Sequence, residues 1–226
     1  MTTPVRFDRD ALEFSRAVTF FDAIFAFAVT LLITTVDDFS PDAWSSLDAL
    51  WETNGPSLLA FAISFVVVVS FWRANHRTVT TFSALDGRGI LLNCAVMFGV
   101  VLIPFVTEAI GKLDLPVPVA VYAVVISGTY VMQFVVVLDA DRRGLRGSRM
   151  SSRETGWALI NAAILPAVFL GSIPVAYLAS PDWAQRCWII LAVIYPVVGA
   201  LERRSAQRPG PAKTVGGSEP KGNTPA

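Results

Sequence analysis

Histidine occurs once and cysteine twice in this chain of 226 residues, and charged residues make up only 16% of it. With His76 alone there is no H-E-x-x-H pair for zinc. Cys94 and Cys187 lie inside apolar runs without C-x-x-C spacing, so no metal site is expected. The G-x-S-x-G turn, the glycine-rich phosphate loop and paired acidic residues within an apolar segment are also missing. The sequence therefore predicts neither an enzyme nor a resident cofactor. Lysine and arginine total 18, as do aspartate and glutamate, and no basic surface of the kind nucleic acid needs emerges. What fills the chain instead is apolar: 54% hydrophobic residues and a mean hydropathy of +0.55, a balance suited to lipid as solvent.

Crossing the hydrocarbon core takes about 20 mostly apolar residues. Runs of that kind cover approximately 17–36, 56–72, 89–110, 117–138, 155–179 and 183–201, each bounded by charges, proline or glycine. The expected fold is an all-α membrane protein with six transmembrane helices, because an open sheet cannot satisfy its backbone in lipid. The first run starts after Arg16 and is followed by acidic residues, not by a small-residue cleavage site, so the first helix is expected to be retained.

Basic residues set the orientation. Arg6, Arg9 and Arg16 precede helix one, Arg73, Arg77 and Arg88 separate helices two and three, and Arg142, Arg143, Arg146, Arg149 and Arg153 separate four and five. The alternate connections hold only Lys112 and Arg186. Both termini are thus expected in the cytoplasm, with the chain multi-pass in the inner (plasma) membrane. Residues 1–204 form the expected six-helix transmembrane domain. Residues 205–226, rich in Gly, Pro, Ser and Lys, read as a disordered cytoplasmic tail.

The first outer connection has a pattern of its own. Ser40 suits a cap, Pro41 suits the first helical position, and Trp44, Leu47, Leu50 and Trp51 share a face before Asn54-Gly55-Pro56. This predicts a short interfacial helix; the same residues also fit a solvated loop. Asp37, Asp38, Asp42, Asp48 and Glu52 would make that side acidic and raise the local cation concentration. The chain has no internal repeat, so any symmetry about a pore must come from association of copies.

Polar residues at membrane depth are costly and are functional candidates. Helix one concentrates them. Arg16-Ala17-Val18-Thr19-Phe20-Phe21-Asp22 resembles the R-x-x-x-F-S-D signature of the endosomal and lysosomal potassium channel family, with Phe21 in place of the serine. Phe71-Trp72-Arg73-Ala74-Asn75-His76-Arg77 is similar to the family's F-W-x-x-H-H segment, with Asn75 in place of the first histidine. Leu91-Leu92-Asn93 and Leu102-Ile103-Pro104-Phe105-Val106-Thr107 resemble its third-helix pattern, so the likeness covers the first half of the chain.

The resemblance implies a homotetramer in the lipid bilayer, with helix one of each subunit lining a central pore, potassium as the permeant ion and no carbonyl filter. The stretch Ser127-Gly128-Thr129-Tyr130-Val131 has no re-entrant flank and is not such a filter. On a helical wheel Ala23, Phe27, Thr30 and Thr34 form one stripe, the expected pore lining and constriction, while Asp22 lies about 140° from Phe27. The resemblance supplies Arg16, Trp72, His76 and Asn93 as partners of Asp22 in a network bracing the pore helix. Plainer readings stand beside it: Arg16 as a positive flank, Trp72 and His76 as interfacial residues, Phe27 as core. The leading function is a potassium-selective cation channel; a proton-coupled or substrate-binding secondary transporter, or a scaffold without transport, are the alternatives.

Overall fold

Side-chain caps decide where several of the long apolar helices begin. Ser46 Oγ accepts from Ala49 N at 3.0 Å, Asp86 Oδ1 from Gly89 N at 2.8 Å and Ser151 Oγ from Glu154 N at 3.2 Å. Each satisfies a backbone donor that the first helical turn leaves open. Glu154 returns the bond to Ser151 N at 2.7 Å, closing a capping box, and Pro116 opens a further helix where no N–H is needed.

The computed structural model describes residues 5–36 and 40–188. A short strand β1 (Arg6–Asp8) leads into α1 (Leu12–Leu32), which ends in a 3-10 turn over Ile33–Thr35. Then follow α2 (Leu47–Thr80), strand β2 (Ala84–Asp86), α3 (Gly87–Lys112), α4 (Pro116–Arg142), α5 (Ser152–Leu178) and α6 (Pro181–Trp188). Among the described residues, five helices are long and apolar enough to cross a membrane. The chain is a predominantly helical, multi-pass membrane protein. Most of the sixth predicted span, 183–201, and the tail from 205 lie outside the described residues.

One expectation is corrected. The predicted interfacial helix is not separate: residues 41–45 form turns, and from Ser46 onward the segment is the first part of α2, which continues through Pro56. Proline removes one N–H without ending the helix here, because Asn54 and Gly55 are buried and hold the segment in place. Ser40 caps only a local turn, its Oγ accepting from Ala43 N at 3.3 Å. Outside the apolar spans, β1 and β2 pair antiparallel as a minimal two-stranded sheet, Phe7 facing Leu85.

Helix α3 is central, packing against α1, α2 and α4, while α5 packs on α4 and α6 on α5. Between α3 and α4 the approach is close: a Cβ placed on Gly99 would lie 2.1 Å from Thr129 Oγ1. One set of buried polar groups is satisfied across helices, the economical arrangement in a lipid-embedded fold. Thr107 Oγ1 donates to Ser64 Oγ at 2.7 Å, and Ser64 Oγ lies 2.9 Å from Tyr122 OH. Tyr122 in turn stacks on Trp188 with ring centroids 4.8 Å apart, which fixes the described part of α6 against α4.

Candidate functional site

Helix α1 is packed on one side only. Phe14, Phe21, Phe25, Ala28 and Leu32 are buried, recurring at the three- and four-residue spacing of a single helical face. The opposite face leaves Arg16, Phe20, Ala23, Phe27, Thr30 and Thr34 exposed. Phe27 is 70% exposed where Phe25, two positions away, is 2% exposed. The stripe expected from the wheel therefore lies on the unpacked side.

The two threonines on that side have a defined chemistry. Thr30 Oγ1 donates to Phe27 O at 2.9 Å and Thr34 Oγ1 to Leu31 O at 2.7 Å. Each hydroxyl proton is used on its own helix, so the oxygen lone pairs are what the hydroxyls have left to offer. An exposed oxygen acceptor is the group a desolvating cation seeks.

Asp22 sits between the two faces and is only partly exposed. Its Oδ1 accepts from Trp72 Nε1 on α2 at 3.0 Å, and the Trp72 ring lies against His76 with centroids 5.7 Å apart. An open groove of about 350 Å³ runs between α1 and α2 beside this pair, lined by Asp22, Phe25, Ala26, Val29, Val69 and Trp72. The structure thus brings together Asp22, Trp72 and His76. It does not bring Arg16 or Asn93 to them within one chain. Arg16 lies about 120° around the helix from Asp22 and faces outward. Asn93 is buried and spends its Nδ2 on Gly89 O, 2.9 Å away on its own helix.

A second polar cluster, which no motif announces, lies where α1 begins. Arg9 Nη1 donates to Thr80 O at 2.6 Å and to Phe82 O at 3.2 Å, placing a cation at the C-terminal end of α2 where carbonyls lack partners. Arg6 Nη2 donates to Arg143 O at 3.1 Å. Asp86, 1% exposed, caps α3 and also forms a two-pronged ion pair with Arg143, which reaches Asp139 as well. Burial pushes the Asp86 carboxyl up. The Gly89 N–H, the hydrogen bond and charge of Arg143, and the charge of Arg6 outweigh burial and hold it below its ordinary value of 3.8. Gly144, with φ +64°, makes the turn that lets Leu145 O accept from Ser83 N at 2.8 Å.

Comparisons with known proteins agree with the sequence reading. A sequence profile of the family described as endosomal/lysosomal potassium channel TMEM175 matches residues 16–104. A potassium channel of Streptomyces collinus is 30% identical over 104 residues, which cover 44% of this chain and 48% of that protein. A potassium channel of a Chryseobacterium species is 27% identical over 110 residues, 48% of this chain and 55% of that protein. The chain spans about half the length of the curated relatives it matches. Among solved structures, a lysosomal potassium-selective channel TMEM175 homolog from Chamaesiphon minutus superposes with a TM-score of 0.65 at 19% identity. That superposition covers 82% of this chain and 97% of the other, and shows a shared fold. The likeness carried by Arg16–Asp22, Phe71–Arg77 and the third helix is thus borne out, and the matched family is one of ion channels, not of enzymes.

Proposed function

We propose that this chain is one subunit of a homotetrameric, potassium-selective cation channel of the inner (plasma) membrane, with α1 of each subunit lining the pore. The observation that carries the reading is the one-sided burial of α1: a membrane helix with Phe27 at 70% exposure and two threonine hydroxyls beside it presents a face suited to a conduction path. Lipid gives no reason to align hydroxyls on one stripe; a permeating cation does. In this arrangement four Phe27 rings form the apolar constriction, excluding ions by dewetting when closed, and the Thr30 and Thr34 oxygens replace part of the hydration shell on one side of it. Potassium is the permeant species.

The rest of the geometry fits the same assembly. The Asp22–Trp72 hydrogen bond ties the pore helix to α2, and Arg16, exposed on the same stripe as Phe27, stands at the cytoplasmic end of that face. With the arginine-rich connections cytoplasmic, the exposed Asp42, Asp48 and Glu52 lie at the outer mouth and concentrate cations there. Secondary transporters bind substrate at helices broken near the midplane, whereas α3 runs unbroken through Pro104 and α5 through Pro166 and Pro174. This favours the channel over the transporter.

The direct test is flux from proteoliposomes of the purified chain under opposed potassium and sodium gradients. Passive, electrogenic potassium flux that scales with the potassium gradient is expected. Flux that appears only with a co-transported proton or solute would replace this reading with the transporter.

A further inference from the structure

Taking α1 as the pore-lining helix, we propose that Arg9 and Asp86 are positioning residues for ion conduction: through the β1–β2 clasp they fix the rotation and height of α1 in the pore. The inference rests on that pore assignment, and its logic is mechanical. Only Arg9, Asp10 and Ala11 separate β1 from α1, and Ala11 N donates to Asp8 O at 2.9 Å, so the strand and the helix are joined by one tight turn. A helix supported along one narrow face is free to slip or turn against its neighbours unless an end is held. A slip of one residue turns an α-helix by about 100° and moves it about 1.5 Å, enough to carry Phe27 off the pore axis.

The clasp holds that end to three other parts of the fold. Strand pairing sets Arg6, Phe7 and Asp8 against Asp86, Leu85 and Ala84, and Arg9 N donates to Ser83 O at 3.0 Å. Arg9 grips the last carbonyl of α2 and that of Phe82 just beyond it, and Arg6 reaches the carbonyl of Arg143, which caps α4. Asp86 locks the far side: buried, it joins the start of α3 to Arg143, while Ser83 and Gly147 exchange backbone bonds with Leu145 and Thr81 across the two connections. These bonds lie outside the apolar spans. Membrane insertion does not require them, and a set of directional bonds at one end of the pore helix is what fixing its register requires.

The test uses a restorable clasp. Arg9→Ala with Asp86→Asn removes the grip on α2 and the ion pair, while asparagine keeps a cap on α3. Phe7→Cys and Leu85→Cys are added as a directly opposed pair, a spacing that a disulfide fits. The full chain is purified, reconstituted, and assayed for potassium flux reduced and oxidised, with the disulfide confirmed by peptide mapping. Expected is a fall of about fivefold or more in the reduced state at unchanged oligomer yield, and recovery to about wild type on oxidation. Unchanged flux in the reduced variant, or flux that stays low with the disulfide formed, overturns the proposal. Should the double variant not assemble, Arg9→Ala alone with the cysteine pair gives the same two readings from a chain that retains the Asp86–Arg143 pair. A parallel Phe27→Ala arm separates the two ideas: altered conduction there with no effect of the clasp overturns the clasp alone, whereas unaltered conduction there removes Phe27 from the pore and overturns the clasp's role in placing it, even if the clasp toggles flux.

Discussion

The indole N–H of Trp72 donates to the Asp22 carboxylate across 3.0 Å, and this bond joins the partly exposed side of α1 to α2. Removing the donor leaves a carboxylate at membrane depth with one partner fewer. Trp72→Phe is expected to lower stability by about 1 kcal/mol and to reduce the fraction of chain recovered as oligomer. Asp22→Asn, which keeps an acceptor, should cost less than Asp22→Ala. Thermal unfolding in detergent with size-exclusion profiles measures both, and equal behaviour of Asn and Ala at position 22 would count against the bond.

Phe27 and Phe25 occupy opposite sides of the same turn. Phe27→Ala is expected to raise flux and erode the preference for potassium over sodium with the oligomer intact. Phe25→Ala should instead open a cavity and cost about 3 to 5 kcal/mol of stability. Liposome flux and melting curves on the two variants separate the roles; an intact Phe27→Ala channel with unaltered flux and selectivity would falsify the constriction.

Thr30 and Thr34 present oxygen acceptors on the exposed stripe. Thr30→Ala and Thr34→Ala are expected to lower potassium-to-sodium discrimination by about threefold or more, and Thr→Ser at either site to retain it. Reversal potentials under bi-ionic conditions give the ratio, and threonine-to-alanine variants that discriminate as the parent does would remove the hydroxyls from ion selection.

Gly99 has no room for a side chain because Thr129 lies against its Cα. Gly99→Ala is expected to push α3 from α4 at a cost of about 1 to 3 kcal/mol, and Thr129→Ala in the same chain to recover part of it. Unfolding of the single and double variants provides the cycle; additive effects would mean the two helices do not meet there.

Acid should loosen the clasp. The Asp86 carboxyl is held below its ordinary 3.8, so its contribution to stability is present above that value and is lost as pH falls through the lower folded-state value. Melting temperature followed from pH 7 downward is thus expected to hold through about pH 4 and drop below it, with a smaller acid drop in Asp86→Asn. An identical acid profile in that variant would show that Asp86 does not carry the dependence.

The amino-acid sequence by itself determined the solvent, the approximate course of the apolar helices through 179 and the stripe on helix one, because hydropathy and a period of 3.6 are local properties that any stretch of chain carries with it. It misplaced the start of α2, since Asn54-Gly55-Pro56 reads locally as a stop, whereas in the fold Asn54 and Gly55 are buried within a helix that continues through Pro56. The grouping of Asp22 with Trp72 and His76, but not with Arg16 or Asn93 in one chain, was decided by which helix faces meet. The clasp was invisible beforehand for a related reason. Strands of three residues have no readable period, and Arg6, Asp86 and Arg143 lie far apart along the chain, so nothing near any one of them signals the others. Only the packing of α2, α3 and α4 brings their ends close enough for a buried carboxylate to find its guanidinium.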